Sequence, residues 1–481
     1  MVSLLLTSFY SIWLYTAYLR PERYGVMALA LALMVYLPYL DFGFRTVINR
    51  AILSASVPEM RFDLLQFGQT LYTLLGIVVL LGNLLLMAVY GLMPGVRAEN
   101  LPFSLFLLLA LANGLLAIAN IQWGVFVGSQ QQSRFFILQT LGVWASVNML
   151  AWGFARGLDL WSIPIANLVS FVLTYPLSLR WIKRTFPDLK IFHWSIGSSF
   201  KAQFNNLKTE AWFCFRSQVT TVILYSADIL IIGFFCPKAE VAVYYVIIRL
   251  IGMVRNMLQT GGEVGWPFLA QRGGAQKEDA LPWFGLHGWI YGSVAGALVV
   301  VTIPFCTWYM GPKWTLDSDL LWAVVLRFMI VGLGSSATYL LYAIGDFRPI
   351  SKCLEGELFA GLVLGTIGAY LAGTLGVAIG FLLATAGGTL VPVYVMYARR
   401  SAIPFWQILG MVWSRALLGF AGSYVTAALL LRTVSQGIYT PLIASAAVGT
   451  SLLLALVLAL TRNGFQLNFE TRQLRQLLRK V

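Results

Sequence analysis

Four arginines stand inside stretches otherwise apolar enough to cross a lipid bilayer: Arg216, Arg249, Arg327 and Arg415. A charge in hydrocarbon costs several kcal/mol unless it faces protein or water, so each is a functional candidate by default. Arginine keeps its charge at any accessible pH and offers a planar fork suited to phosphate oxygens. A cavity lined by several of them in low dielectric would therefore select a polyanion, such as a diphosphate. Arg216 and Arg249 lead this substrate-binding set, with Arg45, Arg255, Arg327 and Arg50 behind them. Arg45, Arg50 and Arg255 lie near the ends of their stretches, where snorkelling to a headgroup or pairing with a carboxylate serves as well. Arg415 belongs to the C-terminal part of the chain and can simply pack there.

The acidic candidates are Asp228, Asp41, Glu263, Glu355 and Glu357. A carboxylate in a low-dielectric site can exchange a proton or hold a coupling ion during a transport cycle, or it can be the fixed partner of an arginine. Both readings stay open. Glu355 and Glu357 are two apart and cannot share a helix face, so at most one points inward. Tyr244 and Tyr245, beside Arg249, have rings that could stack on sugars, but packing or interfacial-belt roles are the reading favoured for them.

Other chemistry is missing from the sequence. No GxxxxGK[ST] run is present to cradle ATP phosphates. His193 and His287 are far apart, and Cys214, Cys236, Cys306 and Cys353 show no metal-ligand or disulfide spacing. No metal or cofactor is expected. The loops on the outer side are about ten residues or shorter and leave no room for an extracellular catalytic domain, and no enzyme is expected.

The elements that must position these residues are membrane helices. The chain has 481 residues, 59% of them hydrophobic and 11% charged, with a mean hydropathy of +0.78. Stretches of about 20 apolar residues are needed to span a bilayer. Fourteen qualify: 2–18, 24–44, 67–92, 102–127, 134–155, 160–180, 211–235, 240–258, 284–310, 319–344, 353–372, 374–397, 405–431 and 439–460. Of the 33 Lys and Arg, 22 fall on the side holding both termini and 7 on the other, which makes both termini cytoplasmic. The formal charge of +14 is this topological bias, not a nucleic-acid footprint.

The chain also repeats itself. Pro21, Gly128, Gly157, Pro176 and the pair Lys183-Arg184 recur about 216 positions later as Pro237, Gly345, Gly373, Pro392 and Arg399-Arg400. A duplicated bundle of six helices is the architecture of secondary transporters, whose substrate site lies between the repeats. The expected organisation is an N-terminal lobe (1–182), an aromatic and basic interfacial linker (183–208), a second lobe (209–400), two further helices (401–461) and a basic amphipathic cytoplasmic tail (462–481). Residues 1–20 lack the basic start of a cleaved signal peptide. By the offset, the counterpart of residues 209–216 would precede Met1, so either the first helix is short or the true start lies upstream.

Three runs resemble a known family. Leu19 to Gly25 (LRPERYG), leading through an apolar stretch to Asp41-Phe-Gly-Phe-Arg45, resembles the "LGPEEYG... ADLGL" pattern of bacterial polysaccharide flippases of the O-antigen type. Tyr225-Ser-Ala-Asp228-Ile-Leu-Ile-Ile-Gly233, followed by Pro237 and Tyr244, looks like the family's second-half pattern, although Cys236 replaces the usual glycine. Gly345-Asp-Phe-Arg348 before Lys352 is similar to its "LGR" turn. The resemblance covers essentially the whole chain and identifies the multidrug, oligosaccharidyl-lipid and polysaccharide exporter superfamily better than the branch. It implies two six-helix lobes around a central cavity, alternating access, and two C-terminal helices. It also implies a bacterial inner-membrane location and a substrate of undecaprenyl-diphosphate-linked oligosaccharide, with a polysaccharide polymerase and glycosyltransferases as partners and membrane lipids as surroundings. Multidrug export, flipping of a peptidoglycan precursor and a non-transporting scaffold for polysaccharide synthesis are the alternatives.

Overall fold

The computed structural model describes residues 2–34, 42–44, 47–48, 51–52, 58–92, 101–122, 126, 131–189, 197–271, 277–311, 314, 316–344, 348–401 and 403–433. All its regular elements are helical: α1 (Val2–Tyr18), α2 (Pro21–Met34), α3 (Pro58–Gly91), α4 (Phe103–Gln122), α5 (Gln132–Ala155), α6 (Ser162–Thr185), α7 (Ser198–Phe235), α8 (Lys238–Gln271), α9 (Lys277–Met310), α10 (Ser318–Ile344), α11 (Arg348–Thr385), α12 (Val391–Ser401) and α13 (Phe405–Thr433). These helices run through each expected stretch up to residue 433, in part for 24–44 and 102–127. The stretch 439–460 and the tail 462–481 lie outside the described residues. This is an all-helical, multi-pass membrane fold. Among the described residues, eight helical runs are long and apolar enough to cross a bilayer, or nine with α7, whose two parts meet at 45°.

One of those runs, the 52 residues Ile350–Ser401, would extend about 78 Å as a straight helix, far beyond a core of about 30 Å. It turns back at Ala372 and Gly373, the latter at φ +56°. The two arms then lie backbone to backbone, for a Cβ on Gly368 would fall 2.1 Å from the Gly376 carbonyl oxygen. Such close approach is available only to glycine.

The repeat seen in the sequence has a structural counterpart. Gly373 matches Gly157, at φ +76°, in the turn between α5 and α6. There the Gly157 N–H donates to Phe154 O and the Leu158 N–H to Gly153 O, both at 3.0 Å, which satisfies helix-end carbonyls in a Schellman arrangement. Pro21 opens α2 and Pro237 directly precedes α8, each tolerated where an N–H has no helical partner anyway. Lys183-Arg184 and Arg399-Arg400 occupy the last turns of α6 and α12, where cations favour the helix dipole. Gly128 and Gly345 lie outside the described residues.

Two compact units divide the chain, Met1–Val246 and Ile247–Val481. In the first, α3 packs on α4, α5 on α6 and on α1, and α7 on α2 and α3. The linker expected at 183–208 is more regular than the sequence suggests: α6 continues to Thr185, and residues from Ser198 onward are the first turns of α7. The reason is aromatic burial, since Phe200 packs on Phe67 (4.9 Å between ring centres) and Phe204 on Phe44 (5.0 Å). In the second unit the closest partners are α9 and α13. A Cβ on Gly288, Gly292 or Gly296 would fall 2.6, 2.1 or 2.2 Å from a carbonyl oxygen of α13. Small residues at every fourth position let two membrane helices meet, where hydrophobicity alone gives no drive to associate.

Candidate functional site

The first unit assembles one cluster around Asp228 on α7. The carboxylate is 1% exposed. It accepts hydrogen bonds from the Tyr244 hydroxyl at 2.7 Å and the Ile229 N–H at 2.8 Å. Local geometry holds it there: the turn between α7 and α8 is pinned by the Lys238 ammonium, which donates to Gly233 O at 2.7 Å. The same turn lies so close to α2 that a Cβ on Gly25 would sit 1.9 Å from Lys238 O. Tyr244 and Tyr245 are both buried, Tyr244 on Asp228 and Tyr245 edge-on to Tyr24. Their rings are packed inside, the packing role and not that of a platform for sugar rings.

Arg216 lies on α7 and is exposed. The structure brings it close in space to the run that carries Asp41 and Arg45. These two, with Arg50, lie outside the described residues, but Phe42, Gly43 and Phe44 between them are described. A Cβ on Gly43, at φ +75°, would fall 2.3 Å from Ala211 O and 2.7 Å from the Phe215 N. The rings of Phe42 and Phe215 are 5.0 Å apart. A contact between positions some 170 apart in sequence could not be read from local spacing.

In the second unit the candidates fall in separate places. Arg249 is exposed and Arg255 half-buried, both on α8; six residues apart, they point about 120° from one another around the helix. The side chain of Glu263 lies outside the described residues. Arg327, on α10, is 7% exposed, and its guanidinium sits 4.8 Å over the Phe381 ring, a cation–π contact made stronger by desolvation. Arg415 packs on α9, where a Cβ on Gly285 would meet its guanidinium at 2.2 Å.

Glu357 and Glu355 part ways as their spacing requires. Glu357 is 2% exposed and accepts hydrogen bonds from Thr385 Oγ1 at 2.6 Å and from Thr389 Oγ1. Glu355 is half-buried, with Ser351 Oγ at 3.3 Å from one carboxylate oxygen. A π-helical turn, Ala386–Leu390, separates α11 from α12 beside Glu357, so close that a Cβ on Gly388 would fall 2.6 Å from Glu357 Cα. Such widened turns recur at functional positions. Thr385 and Thr389 were not singled out in the sequence. Their spacing of four places them on one helix face, but nothing local says that a glutamate 28 residues earlier faces them. Nor does local pattern reveal the chain of polar side chains crossing the first unit, in which Ser146 Oγ donates to Asn167 (3.3 Å) and Asn167 Nδ2 to Asn113 Oδ1 (3.0 Å).

Among the described residues no three His, Cys, Asp or Glu side chains converge as a metal site would require. The four cysteines are free thiols, Cys306 buried and Cys214, Cys236 and Cys353 half-buried. The polar groups collected here can bind ions and anions and can move protons.

Comparison with solved structures places the fold. The chain is similar over 95% of its length, and 96% of the other chain, to a lipid II flippase MurJ in an inward closed conformation, with a TM-score of 0.68 and 13% identity. It is also similar over 82% of its length, and 94% of the other chain, to an inward-facing multidrug resistance MATE family transporter of the MOP superfamily, with a TM-score of 0.64 and 13% identity. No protein-family profile and no curated protein sequence matches the chain. The fold is therefore one that membrane transporters and flippases use. At this identity the likeness speaks for the fold alone.

Proposed function

We propose that this protein is a secondary transporter that moves an undecaprenyl-diphosphate-linked oligosaccharide from the cytoplasmic to the outer leaflet of the bacterial inner membrane, for O-antigen, capsule or exopolysaccharide assembly. One observation carries the reading: on a fold shared over nearly the whole chain with a lipid flippase, the ionisable residues placed in apolar helices are mainly arginines. Guanidinium forks bind diphosphate oxygens bidentately, and low dielectric strengthens each contact. Arg216 and Arg249 take the leading roles, with Arg45, Arg50, Arg255 and Arg327 supporting. Alternating access between the two lobes passes the headgroup while the polyprenyl tail stays in lipid. Among the described residues, Asp228 and Glu357 are the buried carboxylates that would couple transport to an ion or proton. A polymerase and glycosyltransferases supply and consume the substrate.

Deletion of the gene in its own host, with restoration as wild type or Arg249→Ala, tests the reading. Lipid-linked intermediates should accumulate on the cytoplasmic leaflet in both deletion and variant, with variant protein abundance unchanged. Normal surface glycan in the variant would sink the assignment of Arg249. The fold likeness to a lipid II flippase favours peptidoglycan precursor as the second substrate reading; there, depletion would stop cell-wall synthesis and leave surface polysaccharide precursors distributed as before. Accumulation of cationic dyes in the deletion strain would instead mark a drug exporter.

A further inference from the structure

In the first unit, the ends of α1, α2 and α5 form a pocket of about 350 Å³ lined by Tyr18, Arg20, Arg23, Phe154, Gly157 and Asp159. We propose that this pocket binds a sugar ring carrying an anionic group. The inference rests on the proposed function for the source of its ligand: charge bias puts these two turns on the outer face, where a flipped glycan emerges.

Three features of different kinds meet there. The first is a rigid aromatic platform. Tyr18 stacks on Phe154 with ring centres 5.4 Å apart and planes 3° from parallel. Phe154 is 4% exposed whereas Tyr18 is 50% exposed, so one face of the tyrosine is packed and the ring remains open to a ligand. An amphipathic ring with few rotors provides contact area at small entropic cost.

The second is charge. Arg23 Nη1 donates to Asp159 Oδ2 and ties the turn after α1 to the turn after α5. Arg20, three residues earlier, is exposed, and no hydrogen bond or ion pair engages its side chain among the described residues. Two guanidinium groups against one carboxylate leave the pocket with one positive charge in excess, at the positive end of the α2 dipole.

The third is an acceptor already held in place. Asp159 has φ +50°, an uncommon conformation for a residue with a side chain, and opens the short 3-10 turn before α6. Its second carboxylate oxygen, Oδ1, makes no hydrogen bond among the described residues. Sugar hydroxyls would donate to it, a ring face would lie on Tyr18, and a uronate or similar anion would meet Arg20. A lipid phosphate fits less well, because it brings no hydroxyls to the Asp159 acceptor and leaves the aromatic face unused. At about 350 Å³ the pocket is at the small end of ligand sites, the size for one ring, not a whole repeat unit.

Binding is measured by saturation-transfer NMR on the purified full-length protein in detergent. The probe is a tetrasaccharide alternating glucuronate and N-acetylglucosamine, compared with neutral chitotetraose. The acidic probe should bind about tenfold or more tightly than the neutral one, as expected for a charge-assisted contact. Arg20→Ala and Tyr18→Ala should each weaken it about tenfold, while Tyr18→Phe keeps it. Arg20→Ala removes no described contact, and an unchanged melting temperature verifies its fold. Equal binding of both probes, unchanged binding in the two alanine variants, or displacement by phosphatidylglycerol vesicles but not by free glucuronate would overturn the proposal. Should the wild type ignore both probes while complementation shows flipping, the pocket falls and the transport reading stands. If the acidic probe binds but the deletion strain has normal surface glycan, the transport reading falls alone.

Discussion

The hydrogen bond from Tyr244 to Asp228 has a strength that can be both bounded and measured. Its 2.7 Å length is the mode for O–H···O contacts, and its partners are 0% and 1% exposed. Hydrogen bonds to charged groups contribute about 1.5–3 kcal/mol in soluble proteins, whereas contacts between membrane helices average about 0.6 and reach about 1.7 kcal/mol. A carboxylate acceptor shielded from water belongs where the ranges meet, near 1.5 kcal/mol. Tyr244→Phe removes only the hydroxyl, and the Ile229 N–H remains on the other carboxylate oxygen. Asp228→Asn keeps the shape and an acceptor oxygen but not the charge. Because asparagine still accepts from the tyrosine, a double-mutant cycle on these two substitutions, read by denaturant unfolding in mixed micelles, should give the charged bond's excess over a neutral one, a coupling energy of about 0.9 kcal/mol. A coupling below about 0.3 kcal/mol, the level of independent sites, would refute the argument. The same variants separate the two roles open to Asp228. If Asp228→Asn keeps stability but loses surface glycan, the carboxylate changes charge or ligation during transport; if glycan stays normal, its work is structural.

Glu357→Ala should lower stability by about 1–3 kcal/mol, because two threonine hydroxyls lose a buried charged acceptor, and Glu357→Gln by less; thermal unfolding compares the two, and equal losses would contradict the hydrogen-bond account. Gly292→Leu should push α13 off α9, since even its Cβ would meet the Ala416 carbonyl oxygen at 2.1 Å, and folded yield should drop sharply in size-exclusion profiles. Gly422→Leu, on the same α13 but with open space at its Cβ, should change stability by no more than about 0.5 kcal/mol.

Composition and periodicity sufficed for much of the architecture. Apolar runs of bilayer length are visible one by one, because each must satisfy its own backbone in lipid and so be a helix. The internal repeat was equally legible, since proline and glycine act through local backbone geometry. Gly157 and Gly373 share a left-handed turn, and the paired basic residues close equivalent helices. That Glu355 and Glu357 cannot both face inward also follows from helical period alone.

What the tertiary structure decided are the partners. Asp228 meets a tyrosine from the next helix, Glu357 meets two threonines across a π-helical turn, and Arg327 lies on a phenylalanine from another element. Tyr244 and Tyr245, whose rings could also have stacked on sugars, are packed inside. Arg23 and Asp159 pair although 136 positions separate them. The sequence names the groups that are costly to place in a membrane, because that cost depends on residue type and depth. Which group offsets the cost depends on helix packing, and packing is set by glycine contacts such as those between α9 and α13 that no local window contains.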